Sequence, residues 1–258
     1  LICLAPAWRT FPHLARAARD AVGSLLHTAR ERDLAWLPPL VALVLTPFVL
    51  RALLPPTDWD SLMYHLDIPS EWLAAARIDL PGDNYHFIYV GLLHMLYLPL
   101  LAAGALSAPA VLNLLLGVLL GFAMFEVMQQ RGHATAALIA LIGLVSTTSL
   151  LLVASTARVD VALALLLFLA CVALETSLES PRSPTWAAAA GVLLGCAVGV
   201  KFSALAFLPG ILIAFAWSRR RTGSRWRRVF GEAAVIGLVL AACALPYVLK
   251  NARFVGPP

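Results

Sequence analysis

One short polar segment contains the side chains whose chemistry stands out in this sequence. Residues 57–67 read Thr-Asp-Trp-Asp-Ser-Leu-Met-Tyr-His-Leu-Asp and include three aspartates, a tyrosine and a histidine. These groups accept or donate protons, and they follow an apolar stretch in a chain with only 13% charged residues. Ionisable groups beside a bilayer are costly, so their concentration in one place indicates function. We expect the chemistry of the protein in this segment.

The remaining sequence predicts a helical membrane protein. Hydrophobic residues make up 61% of the chain, and the mean hydropathy is +0.85. Apolar runs near the length that crosses a bilayer as an α-helix recur along it. The runs cover about residues 34–54, 87–106, 109–128, 134–154, 160–177, 185–200, 202–217 and 229–249. The predicted fold class is therefore all-α, a polytopic helical membrane protein, and an ordinary soluble domain is excluded.

Loop charges give an orientation for these runs. Residues 218–228 contain six arginines and no acid, and residues 9–33 contain five arginines, so both are assigned to the cytoplasmic side. Residues 55–87 contain six acids against Arg77 alone and are assigned to the outer side. An odd number of crossings must separate this outer loop from 218–228, but six runs lie between them. One run is therefore not a span.

The run 87–106 is the best candidate for the one that does not cross the membrane. It contains His94 and Pro99 and is joined to the next run by a very short connection. We predict that it lies on or dips into the outer interface, within a large first outer loop (55–108) that carries interfacial helices. About seven transmembrane helices then remain. This topology places the following scarce polar residues on one side, as an interfacial active site requires: Asp58, Asp60, Tyr64, His65, Arg158, Asp160, Lys201 and Lys250.

The chain begins at Leu1 without a methionine, and its last residues follow directly on an apolar run. We expect a fragment with two parts. Residues 1–33 are interpreted as the end of a preceding span and a cytoplasmic amphipathic segment, and residues 34–258 as a transmembrane domain truncated at its C-terminus.

The polar segment itself predicts a helix after Pro55-Pro56. Thr57 is expected to cap it with Asp60 at the capping-box position, while Pro69 ends or kinks it and opens a second helix. Asp60, Tyr64 and Asp67 would then share one face. An alternative is that Asp60 merely completes the capping box, with nearby tryptophans as interfacial anchors. A cap does not need three aspartates, which favours a functional interpretation.

These residues resemble the first outer loop of the glycosyltransferase C superfamily, polytopic enzymes that take a sugar from a polyprenyl-phosphate donor. The branch similar to protein O-mannosyltransferases and lipid A aminoarabinose transferases often shows Asp-Glu-x-x-Tyr after its first span. Here Asp60-Ser-Leu-Met-Tyr64 stands in that place, with a serine instead of the glutamate.

Three later features fit the same superfamily, over roughly residues 34–258. Residues 157–160 (Ala-Arg-Val-Asp) open a span where the family often has an aspartate. Residues 191–201 resemble its glycine-rich span ending in lysine, although close helix packing explains these glycines equally well. Residues 247–251 (Tyr-Val-Leu-Lys-Asn) resemble its Tyr-x-x-Arg-Asn element, and Gly256-Pro-Pro would start a truncated turn.

The resemblance implies an inverting transfer in which one carboxylate deprotonates the acceptor, and Asp60 is our candidate for that catalytic base. The negative charge of the leaving polyprenyl phosphate would be stabilised by nearby cations. The candidate substrate-binding residues are Asp58, Tyr64, His65, His86, Arg158, Asp160, Lys201 and Lys250.

Simpler roles exist for several of these residues. Lys201 at a span end is also a typical interfacial anchor, and Arg158 and Asp160 can pair with each other at a helix start. His65 and His86 lack a third ligand at sensible spacing, so no metal site is expected. No cofactor is expected, and a divalent cation is not indicated. The cysteines are interpreted as small apolar residues of helices, without disulfides.

The predicted function is thus a membrane glycosyltransferase of the bacterial cell envelope, multi-pass in the inner membrane with its active site on the outer face. Its partners would be a polyprenyl-phosphate sugar donor, a glycan, lipid or protein acceptor, and membrane lipids that contact the arginines of 218–228. Nucleic acid is not expected as a partner. The alternative function is a multi-span transporter, and a purely structural membrane protein is a third. A transporter would place ionisable groups at mid-span, whereas here they lie at span ends.

Overall fold

The computed structural model describes residues 7–80, 84–89, 91–179 and 185–254, with side chains from residue 16 onward, and this part of the chain is helical without a β-strand. The predicted all-α class is confirmed. The α-helices are α1 (Ala7–Glu31), α2 (Leu37–Leu53), α3 (Asp67–Ala75), α4 (Leu92–Ala102), α5 (Ala108–Gln130), α6 (Ala134–Ser146), α7 (Thr148–Ala154), α8 (Asp160–Glu179), α9 (Thr185–Val200), α10 (Leu208–Arg221) and α11 (Trp226–Phe254). A π-helix covers Ser61–His65, and 3₁₀ helices cover Tyr85–Tyr89 and Phe202–Ala206.

Four helical stretches among the described residues are long and apolar enough to cross a membrane: α5, Phe202–Arg221, α8 and α11. A fifth results if α6 and α7, which meet at a bend of 71°, form one broken span. The apolar helices α2, α4 and α9 are shorter. A multi-pass membrane protein is therefore confirmed by length and composition, whereas the predicted number of about seven spans is not.

The run 87–106 does not form a membrane-length helix. It is divided between the 3₁₀ helix Tyr85–Tyr89 and α4, which has 11 residues and a length of about 16 Å. Gly91 lies immediately before α4 in an extended conformation, and this breaks the helical path. The prediction that this run is not a span agrees with the structure. Its position at a membrane interface stays a prediction.

The chain divides into two compact units, 1–48 with 121–151 and 49–120 with 152–258. In the first, Leu37, Phe125 and Leu138 form a small apolar core, and Gln129 donates a hydrogen bond to the hydroxyl of Thr28. The second unit contains every predicted site residue, so the description below concerns this unit. The boundary predicted at residues 33 and 34 stays a prediction, and Gly256-Pro-Pro lies outside the described residues.

The second unit is built around α8, α9 and α11. Helix α9 packs closely on α11 because glycines replace side chains at the contact. A Cβ atom on Gly191 would lie 2.8 Å from the carbonyl oxygen of Ile236, and one on Gly195 would lie 2.7 Å from that of Leu240. Such distances are shorter than any normal contact, so only glycine permits this approach. The glycine spacing is accounted for by helix packing, one of the two interpretations of the sequence.

Helix α8 separates two polar regions of this unit. At its first residue, Asp160 pairs with Lys201 from the end of α9. At its last turn, the carbonyl oxygens of Ser177 and Leu178 accept hydrogen bonds from Arg219 of α10. Because Ser177 lies 17 residues after Asp160 in this helix, these regions are about 26 Å apart along its axis, close to the thickness of the bilayer hydrocarbon.

Candidate functional site

The polar segment forms one π-helical turn that is preceded by aspartates. The carboxylate of Asp58 accepts a hydrogen bond of 3.1 Å from the backbone N–H of Ser61, which is the geometry of a helix N-cap. Asp60 makes no such side-chain cap. The expected cap by Thr57 is therefore wrong, and so is the alternative that Asp60 serves only to complete a capping box. Pro69 lies in the first turn of α3, as expected for a proline that opens a helix.

Both aspartates of this turn face Arg158. Nη2 of Arg158 lies 2.7 Å from the carboxylate of Asp60, a close ion pair. Its Nε lies 3.7 Å from the carboxylate of Asp58, an ion-pair distance that is too long for a hydrogen bond. The Nε–H group is buried and has no hydrogen-bond partner among the described residues. One arginine thus compensates two carboxylates, and one of its donors is left unused.

The turn that presents Arg158 is fixed by buried side chains from three other elements. The backbone N–H of Ala157 donates to Oγ of Ser61 at 3.1 Å, and the hydroxyl of Tyr97 donates to the carbonyl of Arg158 at 2.9 Å. The amide of Asn113 donates to two carbonyls of the same turn, at 3.0 Å each. Buried backbone groups are costly unless they are paired. These bonds therefore define the position of Arg158 relative to Asp60.

Asp160 and Lys201 form a second ion pair, with 2.6 Å between Nζ and the carboxylate oxygen. The sequence allowed Arg158 and Asp160 to pair with each other, but their described partners are Asp60 and Lys201. Both members of the pair are close to half exposed. The pair is consequently open to exchange with a charged ligand.

His65 joins a chain of buried hydrogen bonds with His94 and Gly91. His94 accepts a bond from the backbone N–H of Gly91 at Nδ1, and its Nε2 lies 2.7 Å from Nδ1 of His65. Burial lowers the pKa of both rings, so both are neutral at pH 7. Since Nδ1 of His94 is an acceptor, its proton is on Nε2 and is donated to His65. His65 then carries its own proton on Nε2.

Aromatic rings cover the turn beside Asp60. Tyr64 stacks on His86 with 4.9 Å between ring centroids, and Trp59 and Tyr85 meet the same imidazole at 5.7 Å and 4.0 Å. The pKa of Tyr64 is raised by burial and by the charge of Asp60, so its hydroxyl stays protonated. Trp59 and Tyr85 are largely exposed. The carboxylates are thus bordered by an apolar, accessible surface.

Lys250 contacts the 3₁₀ helix that contains His86. Nζ of Lys250 donates to the carbonyl of Phe87 at 2.7 Å and lies 4.1 Å from the centre of its ring. The next residue, Asn251, donates to the carbonyl of Ile88 at 3.2 Å. These contacts connect the end of α11 to the 3₁₀ helix that contains His86. In the described structure, Lys250 therefore contacts this 3₁₀ helix.

The cluster is suited to acid–base and anion chemistry. It combines three carboxylates, those of Asp58, Asp60 and Asp160, with the two cations Arg158 and Lys201. In the described part of the chain, no group of three or more His, Cys, Asp or Glu side chains is arranged to bind a metal ion.

Sequence reasoning missed the buried groups that support this cluster. His94, Tyr97 and Asn113 lie inside apolar runs and are completely buried, and each binds a residue of the site or its backbone. A polar side chain at a buried position needs a partner. An isolated histidine or asparagine within an apolar run was therefore the available signal, although the sequence did not reveal the partner.

The chain matches the model of a known protein family. Residues 93–247, more than half of the chain, match the family described as dolichyl-phosphate-mannose-protein mannosyltransferase. No curated protein and no solved structure matches the chain. The match includes Arg158, Asp160 and Lys201, whereas the segment 57–67 and His86 precede it. The resemblance to the glycosyltransferase C superfamily is thereby confirmed and preferred to the transporter alternative, and the chain belongs to the dolichyl-phosphate-mannose-protein mannosyltransferase family of membrane glycosyltransferases.

Proposed function

We propose that this protein transfers a sugar from a polyprenyl-phosphate donor to an acceptor, with inversion at the anomeric carbon and Asp60 as the catalytic base. The observation that carries this proposal is the pairing of Asp60 with Arg158. It places a carboxylate that can take a proton next to a cation that can stabilise a phosphate. The family match supports the glycosyltransferase chemistry, while the roles of individual residues rest on the geometry.

Asp60 is a better candidate than Asp58 for the base. The side chain of Asp58 is 13% exposed and caps the helical turn, whereas that of Asp60 is 28% exposed. The greater exposure of the Asp60 carboxylate leaves it more accessible to an acceptor hydroxyl. A base must reach the proton that it removes, and this favours the more exposed carboxylate.

The proposed reaction is a single displacement. The acceptor oxygen forms a bond to the anomeric carbon while its proton passes to Asp60. The bond from that carbon to the phosphate oxygen breaks, and its electron pair leaves with the polyprenyl phosphate. Arg158 and Lys201 stabilise the developing negative charge. Lys201 does so by exchanging Asp160 for the phosphate, since its present ion pair is partly exposed.

The aromatic surface provides a place for the reacting sugar or acceptor. Trp59 and Tyr85 expose their rings beside Asp60, and Tyr64 contributes a protonated hydroxyl. The apolar faces of such rings pack against C–H groups, while hydroxyl and imidazole groups provide hydrogen bonds. His65 and His86 are the proposed imidazole contacts. Acceptors of this class are glycans, lipids or proteins.

We place the reaction on the outer face of a bacterial cell membrane. The paired carboxylates and Asp160–Lys201 lie at the opposite end of α8 from the arginines of 218–228. The positive-inside rule assigns those arginines to the cytoplasm, and the site then faces the other side.

The proposal is tested with membranes that contain the protein and radiolabelled sugar donors. Label is supplied either on a polyprenyl phosphate or on a nucleoside diphosphate, and its loss from the donor is followed. We expect release from the polyprenyl-phosphate sugar above that of membranes without the protein. Use of the nucleotide sugar alone would contradict the proposed donor.

A further inference from the structure

An apolar groove of about 460 Å³ lies between α8 and α10, near the end of α8 that is remote from Asp60. Its apolar lining includes Leu174, Leu178, Ile211, Ala214 and Phe215. A groove of this composition accommodates hydrocarbon.

A basic pocket of about 430 Å³ continues from this groove at Leu178, which lines both. Its lining includes Arg219, Arg225, Arg228 and the turn from Thr222 to Ser224. Together they form an apolar groove that ends in a basic pocket. This matches a ligand with an apolar chain and an anionic head.

The charges of the pocket do not cancel. Arg219 is 2% exposed and donates two hydrogen bonds of 2.7 and 2.8 Å to the carboxylate of Glu232. Arg228 contacts the same carboxylate at 3.0 Å, so a single acid compensates two arginines. Among the described residues, the side chain of Arg225 has no ion pair or hydrogen bond. A net positive charge therefore remains for a ligand.

The start of α11 adds to this positive charge. The helix begins at Trp226 and has no acidic residue in its first turn, whereas Arg227 and Arg228 are in that turn. Arginines at the positive end of a helix dipole are unfavourable without a compensating anion. An anion bound in the pocket would compensate both the charge of the arginines and the positive end of the helix dipole.

Exposed aromatic side chains indicate that this anion belongs to a lipid. Trp217, Trp226 and Phe230 are each more than half exposed around the arginines. Arg220 and Arg221 lie over the rings of Trp226 and Trp217, at 4.8 Å and 5.6 Å from the centroids. Tryptophan and arginine together are typical of the level of lipid head groups.

We propose that the groove and the pocket bind one anionic glycerophospholipid, with its phosphate between Arg225 and Arg228 and an acyl chain along α8 and α10. Glu175 also lines the groove, one turn before Leu178. The head group is therefore expected beyond Leu178, at the arginine end. This site lies at the opposite end of α8 from the proposed reaction and does not depend on it.

The test uses the protein in nanodiscs that contain a trace of photoactivatable phosphatidylglycerol with a diazirine on its acyl chain. Labelled peptides are identified by mass spectrometry. A phosphatidylcholine probe with the same diazirine is used for comparison. We expect label on α8 and α10 from the phosphatidylglycerol probe that is at least five-fold stronger than from the phosphatidylcholine probe. Arg225→Gln combined with Arg228→Gln should reduce it at least five-fold. Arg221→Gln with Arg227→Gln is the matched control, because neither arginine lines the pocket, whereas Arg220 bonds the carbonyl of Ser224 in its wall.

A second variant tests the groove independently of charge. Gly210 lines the groove, and a Cβ atom added there would meet no atom within 4 Å, so Gly210→Trp places a large side chain in the groove. We expect loss of the label with an unchanged elution profile on size exclusion. Equal labelling by both probes, equal loss in the control variant, or competition by inorganic phosphate would each overturn the proposal. Cross-links from the groove to protein instead of lipid would also overturn it.

Discussion

Ser61 accepts a hydrogen bond from the backbone N–H of Ala157 across 96 residues of sequence, in a fully buried environment. This bond connects the helical turn that carries Asp60 to the turn that carries Arg158. The related enzymes often have a glutamate at the position of Ser61. In this chain the small hydroxyl group of Ser61 bonds directly to the backbone of the second turn, and the carboxylates take Arg158 as their partner.

Ser61→Ala removes this acceptor and leaves a buried N–H without a partner. Loss of such a bond costs about 1–3 kcal/mol, so we expect a lower midpoint of thermal unfolding in detergent and reduced sugar transfer. Ser70→Ala is the matched control, because the Ser70 hydroxyl only bonds a carbonyl of the preceding turn. Equal effects of the two variants would contradict a connecting role for Ser61.

Arg158→Lys keeps the charge but not the geometry, because an ammonium cannot reach both carboxylates as a guanidinium does. We expect sugar transfer to fall by about 10- to 100-fold, with a further loss in Arg158→Gln. Arg77→Gln serves as the control. This arginine forms an exposed pair with Asp79, and such pairs contribute little. Unchanged transfer by Arg158→Lys would argue against the role of the guanidinium.

Gly195→Ala tests the packing of α9 on α11. The new Cβ would lie 2.6 Å from Cβ of Cys243, and the contact includes backbone that cannot move aside. Overpacking of this kind costs about 1–3 kcal/mol. Gly237→Ala, in α11 with open space, should instead be neutral or stabilising by up to about 1 kcal/mol. The two variants are compared by thermal unfolding in the same detergent, and a stable Gly195→Ala protein would be inconsistent with the close helix contact.

The histidine pair predicts a dependence of stability on pH. Burial lowers the pKa of His65 and His94 in the folded protein, whereas histidines of the unfolded chain titrate near 6.5. Below that pH the unfolded state binds more protons, so stability is complete above about 6.5 and decreases as the pH falls. The slope is at most about 1.4 kcal/mol per pH unit for each histidine.

This dependence is measured as the unfolding midpoint between pH 7.5 and pH 5.5, in wild type and in His65→Gln/His94→Gln. The variant should show the flatter profile. His133→Gln is a suitable control, since His133 is exposed. Equal slopes in wild type and in the double variant would show that the pair does not carry the effect.

The elements and the site were predictable to different degrees. Long apolar runs identified the helical class. Charge parity indicated that one run is not a span, and His94, Pro99 and a short connection pointed to 87–106. The local sequence pattern did not show that the N-cap residue is Asp58 instead of Thr57. Either side chain can accept a hydrogen bond from a backbone N–H group of the first helical turn. The partners of Arg158 were also not predictable. They depend on buried bonds from Ser61 and Tyr97 between segments remote in sequence.

The central claim is that Asp60 removes the proton of the acceptor, and a single substitution tests it most directly. Asp60→Asn retains the shape of the side chain and can still accept a bond from Arg158, but it cannot act as a base. Asp67→Asn, an exposed aspartate of the same segment, is the matched control.

Transfer from a radiolabelled polyprenyl-phosphate sugar is measured in membranes with equal amounts of folded protein. We predict that Asp60→Asn lowers the rate at least 100-fold, in the range expected for loss of a general base, while Asp67→Asn stays near the wild-type rate. Wild-type transfer by Asp60→Asn would contradict the account.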